Sequence, residues 1–169
     1  MNHLENLSRE ELEKLIEAYA LSWLAHDGCW FLASEEKYGI DNAIELDTKA
    51  WERFAPIEAK RIMKVFNIEA GGGLKALEKV LKHRMYSLLN EQSFEWKNDT
   101  ALVFKMVDCR VQNTRKQKGF EAFPCKQVGL VEFTNFAKAV DPRIQTKCIS
   151  CPPDEVYSYY CGWEFTINL

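Results

Sequence analysis

The 169 residues contain no phosphate-binding loop, no nucleophile elbow and none of the familiar paired metal motifs. Gly71-Gly72-Gly73 is followed by Leu74 rather than by Lys-Ser or Lys-Thr, so it is a flexible connector and not a nucleotide cradle. No strand leads into G-x-G-x-x-G, and neither G-x-S-x-G, H-E-x-x-H nor Glu-x-x-His occurs. Rossmann, serine-hydrolase, zincin and di-iron bundle chemistry are therefore unsupported. A dominant charge is also lacking. Lys and Arg number 22 and Asp and Glu 25, for a net charge of −3, which excludes the electrostatic footprint of a duplex nucleic-acid or anionic-membrane binder. The start, Met1 to Leu15, carries neither a cationic n-region nor an apolar h-region, so no secretory signal is expected there. The longest apolar stretch, Ala18 to Ala33, is broken by Ser22, His26, Asp27 and Gly28 and cannot span a bilayer as it stands. Internal repeats and low-complexity segments are missing.

What is present is an ordinary globular composition, 47% hydrophobic and 28% charged, and a length that suits one domain over 1–169. The expected location is the cytoplasm, where the six cysteines stay reduced. The pattern changes near residue 92, with helical periodicity in 1–92 and strand-like segments in 93–169. Ser8-Arg9-Glu10-Glu11 reads as a capping box opening a helix to about Glu36. Its apolar face is Leu12, Ile16, Tyr19, Trp23 and Trp30, with His26 among them. Gly28 lies inside this helix at a cost of about 1 kcal/mol against alanine, which suggests a kink or a close contact there. Gly39 ends it and Asp41 caps the next. A second stripe runs Ile44, Asp47, Trp51, Phe54, Glu58 and Ile62, and Pro56 is expected to break it, opening a third helix to about Asn67. Leu74 to Leu89 forms another helix, with Leu74, Leu77, Val80, Leu81 and Leu88 inward.

In the second half, Phe94-Glu95-Trp96, the turn Lys97-Asn98-Asp99 and Ala101 to Val111 read as a hairpin, followed by a basic loop Arg115 to Gly119. Val128 to Val140 reads as a helix stopped by Asp141-Pro142. Ile144 to Ile149 and Tyr159 to Leu169 are the last strands, with Cys161, Trp163, Phe165, Ile167 and Leu169 alternating to one face. Helices first and strands afterwards imply an α+β domain: an N-terminal helical layer packed on a mainly antiparallel C-terminal sheet.

Three constellations could carry chemistry. Cys148-Ile149-Ser150-Cys151 is a C-x2-C turn, and Cys161 on the returning strand could add a third ligand to zinc or iron. Cys125 or Cys109 would complete a tetrahedron. The same cysteines also read as reactive thiols or as small core residues. A redox pair in the thioredoxin style fits poorly, because Pro152-Pro153 follows where a helix should open. The second constellation is acids and a histidine on apolar helical faces: His26, Asp27, Glu35, Asp47 and Glu58. Each buried carboxylate must be paired, ligated or protonated; Arg61 is the natural partner for Glu58, and His26 for Asp47. A buried ion-pair network and a polar ligand pocket both account for them. The third is Arg110, Arg115, Lys116 and Lys118 with Gln112, which either clamp an anionic group or form a solvated loop.

Several strings together resemble a family of small prokaryotic cytosolic proteins without an assigned function. They are Asp27-Gly28-Cys29-Trp30-Phe31-Leu32, Glu58-Ala59-Lys60-Arg61, Cys125-Lys126-Gln127-Val128-Gly129, Asp141-Pro142-Arg143-Ile144, Cys148 to Asp154, and Cys161-Gly162-Trp163-Glu164-Phe165. The layout is more distantly similar to the L-2-amino-thiazoline-4-carboxylate hydrolase family and to 4-vinyl-reductase-type ligand-binding domains. That resemblance implies a pocket between helices and sheet, with cysteines late in the chain.

The expected function is a cytosolic small-molecule-binding domain with a cysteine-ligated metal site. The alternative is a hydrolase acting on a small cyclic amide-like or thiazoline substrate. A third class is a protein-interaction domain using Tyr157, Tyr159 and Tyr160. Expected ligand contacts are His26, Asp27, Glu35, Asp47, Glu58, Arg61 and Arg115. Expected metal ligands are Cys148, Cys151, Cys161 and Cys125. The expected partner is a small-molecule ligand, with no nucleic acid and no membrane; an oligomer is compatible with the sequence.

Overall fold

A computed structural model describes residues 3–155 and 158–168. A short 3-10 turn, His3–Asn6, precedes α1 (Arg9–Tyr38), whose start is closed by the capping box: the Ser8 hydroxyl accepts from the Glu11 N–H, and the Glu11 carboxylate accepts from the Ser8 N–H. Gly39, at φ 81°, ends α1 and directly opens α2 (Ile40–Val65). Asp41 thus sits in the first turn of α2 and makes no cap. Nor does Pro56 break α2, which runs through it. An internal proline costs about 3 kcal/mol; here Trp51, Ala55, Ala59 and Met63, all buried in the core on one face of the helix, outweigh that penalty.

The inward face of α1 differs from the expected one. Ile16, Tyr19 and Trp30 are exposed, Trp30 by 66%, and His26 is exposed as well. The stripe one position over, Ala20, Trp23, Asp27, Phe31 and Glu35, turns toward the protein. Trp23 anchors it, stacked on Phe54 at 5.6 Å and edge-on to Trp51 and Tyr86. The expected α2 stripe is seated as anticipated, with Ile44, Trp51 and Glu58 buried and Asp47, Phe54 and Ile62 half-buried.

The segment expected as one helix from Leu74 to Leu89 is two, α3 (Gly73–Leu81) and α4 (Tyr86–Leu89), separated by a turn that carries Arg84. Leu74, Leu77, Val80 and Leu81 are buried, but Leu88 is exposed because the turn rotates it outward. Then come β1 (Gln92–Asn98) and β2 (Ala101–Met106), α5 (Arg110–Gln117), α6 (Lys126–Val140), β3 (Ile144–Ser150) and β4 (Cys161–Ile167). Part of the expected second hairpin strand and most of the expected basic loop are therefore the helix α5.

The sheet has the order β1-β2-β4-β3 and is antiparallel throughout. Trp163, Phe165 and Ile167 alternate inward from β4 as their period predicts; Leu169 lies outside the described residues. Helix α6 buries Phe133, Phe136, Ala137 and Val140, and Asp141 ends it. Helices occupy the first half and the four-stranded antiparallel sheet the second, an α+β fold. One buried cluster takes residues from both halves, from Ile44 to Ile167. Among the described residues no helix is long and apolar enough to cross a membrane.

A thiol-and-carboxylate cavity as the candidate functional site

Helix α1 does not close fully onto the sheet and α6. The space between them is a cavity of about 650 Å³, walled on one side by Leu21, Leu24 and Phe31 of α1 and on the other by Met106, Val128, Phe133 and Trp163. That size suits a small organic ligand. Two polar groupings interrupt the apolar walls.

The first is a set of thiols. Cys125, Cys151, Cys161 and Cys109 all line the cavity. The sulfurs of Cys125 and Cys151 are 3.5 Å apart, and Cys161 lies near enough to Cys151 to act on its titration. Cys125 sits at the N-cap of α6. Its position is fixed by a short ladder: the Gln112 Nε2 donates to the Phe123 carbonyl at 2.7 Å, and the Phe123 N–H donates to the Gln112 Oε1 at 3.0 Å. The Gln112 Nε2 also lies 3.5 Å from the Cys125 Sγ. Cys151 is held from the other side. Its N–H donates to Asp154, whose carboxylate pairs with Lys126 at 2.8 Å, and the Lys126 N–H donates to the Pro152 carbonyl. The start of α6 and the loop after β3 are thus tied together, which brings two cysteines 26 residues apart in sequence into contact.

These contacts pull the thiols in opposite directions. The hydrogen bond from Cys151, aided by the one from Gln112, holds Cys125 below the ordinary thiol range. Sharing that bond, with Cys161 adding to the effect, raises Cys151 far above it. Burial pushes Cys109 up to about 12.

Among the described residues, no group of three or more His, Cys, Asp or Glu side chains is arranged to hold a metal ion. Of the four expected ligands, Cys125, Cys151 and Cys161 meet, but Cys148 does not line the cavity. It is half-buried beside Trp163 at the bulge in β3, and burial raises its pKa. Cys125, Cys151 and Cys161 form a thiol network on the cavity wall.

The second grouping is acidic. Asp27, Asp47 and Glu132 line the cavity from α1, α2 and α6. Burial lifts Asp47 to about 7, with the charges of Asp27 and Glu132 adding to the shift, while a hydrogen bond from Trp51 opposes it. Burial raises Asp27 and Glu132 as well. Beside them, burial and then the charge of Glu132 raise the Tyr86 hydroxyl well above its usual range.

The cation here is Arg84, which sequence reasoning missed. Its guanidinium is 2% exposed and lies 2.8 Å from the Glu58 Oε2 and 2.6 Å from the Glu132 Oε1. A hydrogen bond from the Arg84 Nε to Glu58, 2.9 Å, is well aligned, whereas the Nη2 contacts are ion pairs outside hydrogen-bond geometry. Burial works against the charge on Arg84, but the two carboxylates outweigh it and hold the group protonated. The signal was readable: Arg84 falls three residues after Leu81 and four after Val80 on the apolar stripe, and Glu132 lies between Val128 and Phe136. Both are charges on a buried face.

The remaining candidates divide. Glu58 is buried but pairs with Arg84 and not with Arg61, which is one turn on along α2 and exposed. His26 is exposed and does not partner Asp47. Arg115, expected in a loop, is a buried residue of α5. It grips Glu35 through two bonds of 2.8 and 3.1 Å and the Glu121 carbonyl at 2.9 Å, and the bonds from Arg115 hold the Glu35 carboxyl below its usual range. It ties α1 to α5 at the cavity wall. Gly28 also lines the cavity, and a Cβ there would meet nothing within 4 Å, so the expected close contact does not account for it. Tyr159 and Tyr160 are half-buried, the latter donating to Asn113, and Tyr157 lies outside the described residues.

No curated protein matches the chain. The profile of one family, described as a family of unknown function (DUF6125), matches residues 5–167, and the chain belongs to that family.

Proposed function

We propose that this chain is a small-molecule-binding domain whose ligand occupies the cavity between α1, α6 and the sheet and presents a cationic group on an apolar body. The observation that carries this reading is a charge imbalance. Arg84 is already shared by Glu58 and Glu132, while Asp27 and Asp47 face the cavity with no ion pair of their own among the described residues. Of the cations that line it, Arg115 is taken by Glu35, and Arg110 and Lys118 belong to the α5 end; the charge of exposed His26 only partly offsets the burial of Asp27. A buried carboxylate without a partner costs several kcal/mol. An ammonium or amidinium group beside Asp47 and Asp27 would remove that cost, and the rings of Trp51 and Tyr86 line the same end. The unbridged cysteines suit a reducing cytoplasm. A hydrolase reading would need a base beside the thiols; His26 faces solvent, which leaves that role to an acid of the cavity such as Glu132.

The test is a matched probe set, phenethylamine, 2-phenylethanol and 3-phenylpropionate, titrated against tryptophan fluorescence and thermal unfolding. The amine should bind best, and its affinity should fall as pH drops below about 7, where Asp47 takes up a proton. Preference for the carboxylate, or no saturable change with any of the three, would refute the proposal.

A further inference from the structure

The thiol end of the cavity has a chemistry of its own. Cys125 lies at the positive end of the 15-residue helix α6, its sulfur 3.5 Å from the Cys151 sulfur and 3.5 Å from the Gln112 amide nitrogen. A helix N-terminus and two donors favour a thiolate. Cys151, 1% exposed, keeps the proton. Two neighbouring groups driven apart in this way define which is nucleophile and which is acid. A further, independent feature lies a turn along α6. The indole of Trp163, fully buried and lining the cavity, has an Nε1–H without a hydrogen-bond partner. Its ring rests on Gly129, four residues after Cys125 on α6, where a Cβ would fall 2.6 Å from the Trp163 Cζ2, so only glycine admits the ring there. An orphaned buried donor is unfavourable unless something accepts from it.

We propose that Cys125 is a nucleophile that takes a soft carbon electrophile, an alkene conjugated to a carbonyl, with Cys151 as the proton donor. The sulfur lone pair of Cys125 forms a bond to the β-carbon, and the alkene π pair moves through the α-carbon onto the carbonyl oxygen as an enolate, which the Trp163 Nε1–H is available to hold. The Cys151 S–H then protonates the α-carbon. Cys151 becomes acidic enough at that moment because its hydrogen bond to the Cys125 anion, the main reason it held its proton, has gone; it regains a proton from water. The sum is thiol plus alkene giving a thioether, with no oxidant or reductant consumed. This inference rests on the cavity reading only in that the cavity admits a ligand.

N-ethylmaleimide, an activated alkene, is the probe. The full-length protein is labelled briefly at a series of pH values and the modified cysteines are mapped by peptide mass spectrometry, with exposed Cys29 as the internal reference for reagent access and the protein unfolded in guanidinium as the reference for an ordinary thiol. At about pH 6, where an ordinary thiol near 8.5 is almost wholly protonated, Cys125 should react about tenfold faster folded than unfolded. Cys151 and Cys109 should react more slowly folded than unfolded. Cys151→Ala should bring the Cys125 rate down toward the unfolded value. A Cys125 that is no faster folded than unfolded, or that stays unlabelled while Cys29 reacts, overturns the proposal, and this wild-type comparison decides even if the variant does not fold. The outcome is independent of amine binding: an unreactive Cys125 leaves the cavity reading intact, and a failed amine titration leaves the thiol result intact.

Discussion

Replacing Asp47 by asparagine should stabilise the protein at neutral pH, although it removes a buried charge that a structural ion pair would need. An aspartate in the unfolded chain titrates near about 3.9. In the fold, burial and the neighbouring Asp27 and Glu132 carry Asp47 to about 7. At about pH 3 and below both states hold the proton and the site costs nothing; as pH rises toward 7 the unfolded chain gives up its proton first, so stability falls through this window. Roughly three units at about 1.4 kcal/mol each set a ceiling near 4 kcal/mol, and sharing of protons with Asp27 and Glu132 brings the expected loss to about 2–4 kcal/mol. Asparagine keeps an acceptor for the bond from Trp51 and carries no charge. The variant should therefore match the wild type at about pH 3 and exceed it by about 2–4 kcal/mol at about pH 8. Urea unfolding followed by circular dichroism across that range measures the difference directly. A variant less stable than wild type at pH 8, or a difference that does not change with pH, would mean that Asp47 has a permanent cationic partner, and the charge imbalance behind the proposed ligand class would disappear.

Arg84→Met should lower stability by about 3–5 kcal/mol, because Glu58 and Glu132 are left buried together without a cation; adding Glu58→Gln and Glu132→Gln to it should recover part of the loss, and chemical denaturation of the two variants checks both. Asp141, fully buried, accepts from Arg143 and from the Gly73 N–H, and the bonds from Arg143 hold its carboxyl down at about 2. Its contribution, about 1–2 kcal/mol after discounting for the exposed Arg143, should be complete above about pH 4 and vanish as pH falls through about 2. Asp141→Asn should accordingly flatten the acid limb of the stability profile.

Local rules carried much of this structure. The capping box at Ser8, the strand period of Trp163, Phe165 and Ile167, the helical stripe from Phe133 to Val140 and the inward acids Asp47 and Glu58 all follow from residue spacing, because cap bonds and side-chain periodicity depend on a few neighbouring residues alone. The α+β division followed from the same periodicities. What spacing could not supply was the identity of partners. Glu58 has Arg61 one turn away on its own helix, yet pairs with Arg84, 26 residues on, because burial selects the cation that shares the dry interior and Arg61 faces water. Pro56 should stop a helix, but the core packing of α2 exceeds the local penalty. On α1, two stripes of apolar residues compete, and only docking of Trp23 against α2 and α4 decided that Asp27 faces the cavity while His26 and Trp30 face solvent.

The cysteines show the same division. Cys148 and Cys151 are neighbours by sequence, and their spacing suggested a shared ion. The pairing that formed, Cys125 with Cys151, joins the start of α6 to the loop after β3 and exists only because Lys126, Asp154 and the Gln112 ladder bring those segments together. A sequence lists the thiols and carboxylates available to a site. Which of them share a proton, and which are left without a counter-charge, is set by contacts between distant segments, since hydrogen bonds and desolvation act over a few ångströms of space and not along the chain.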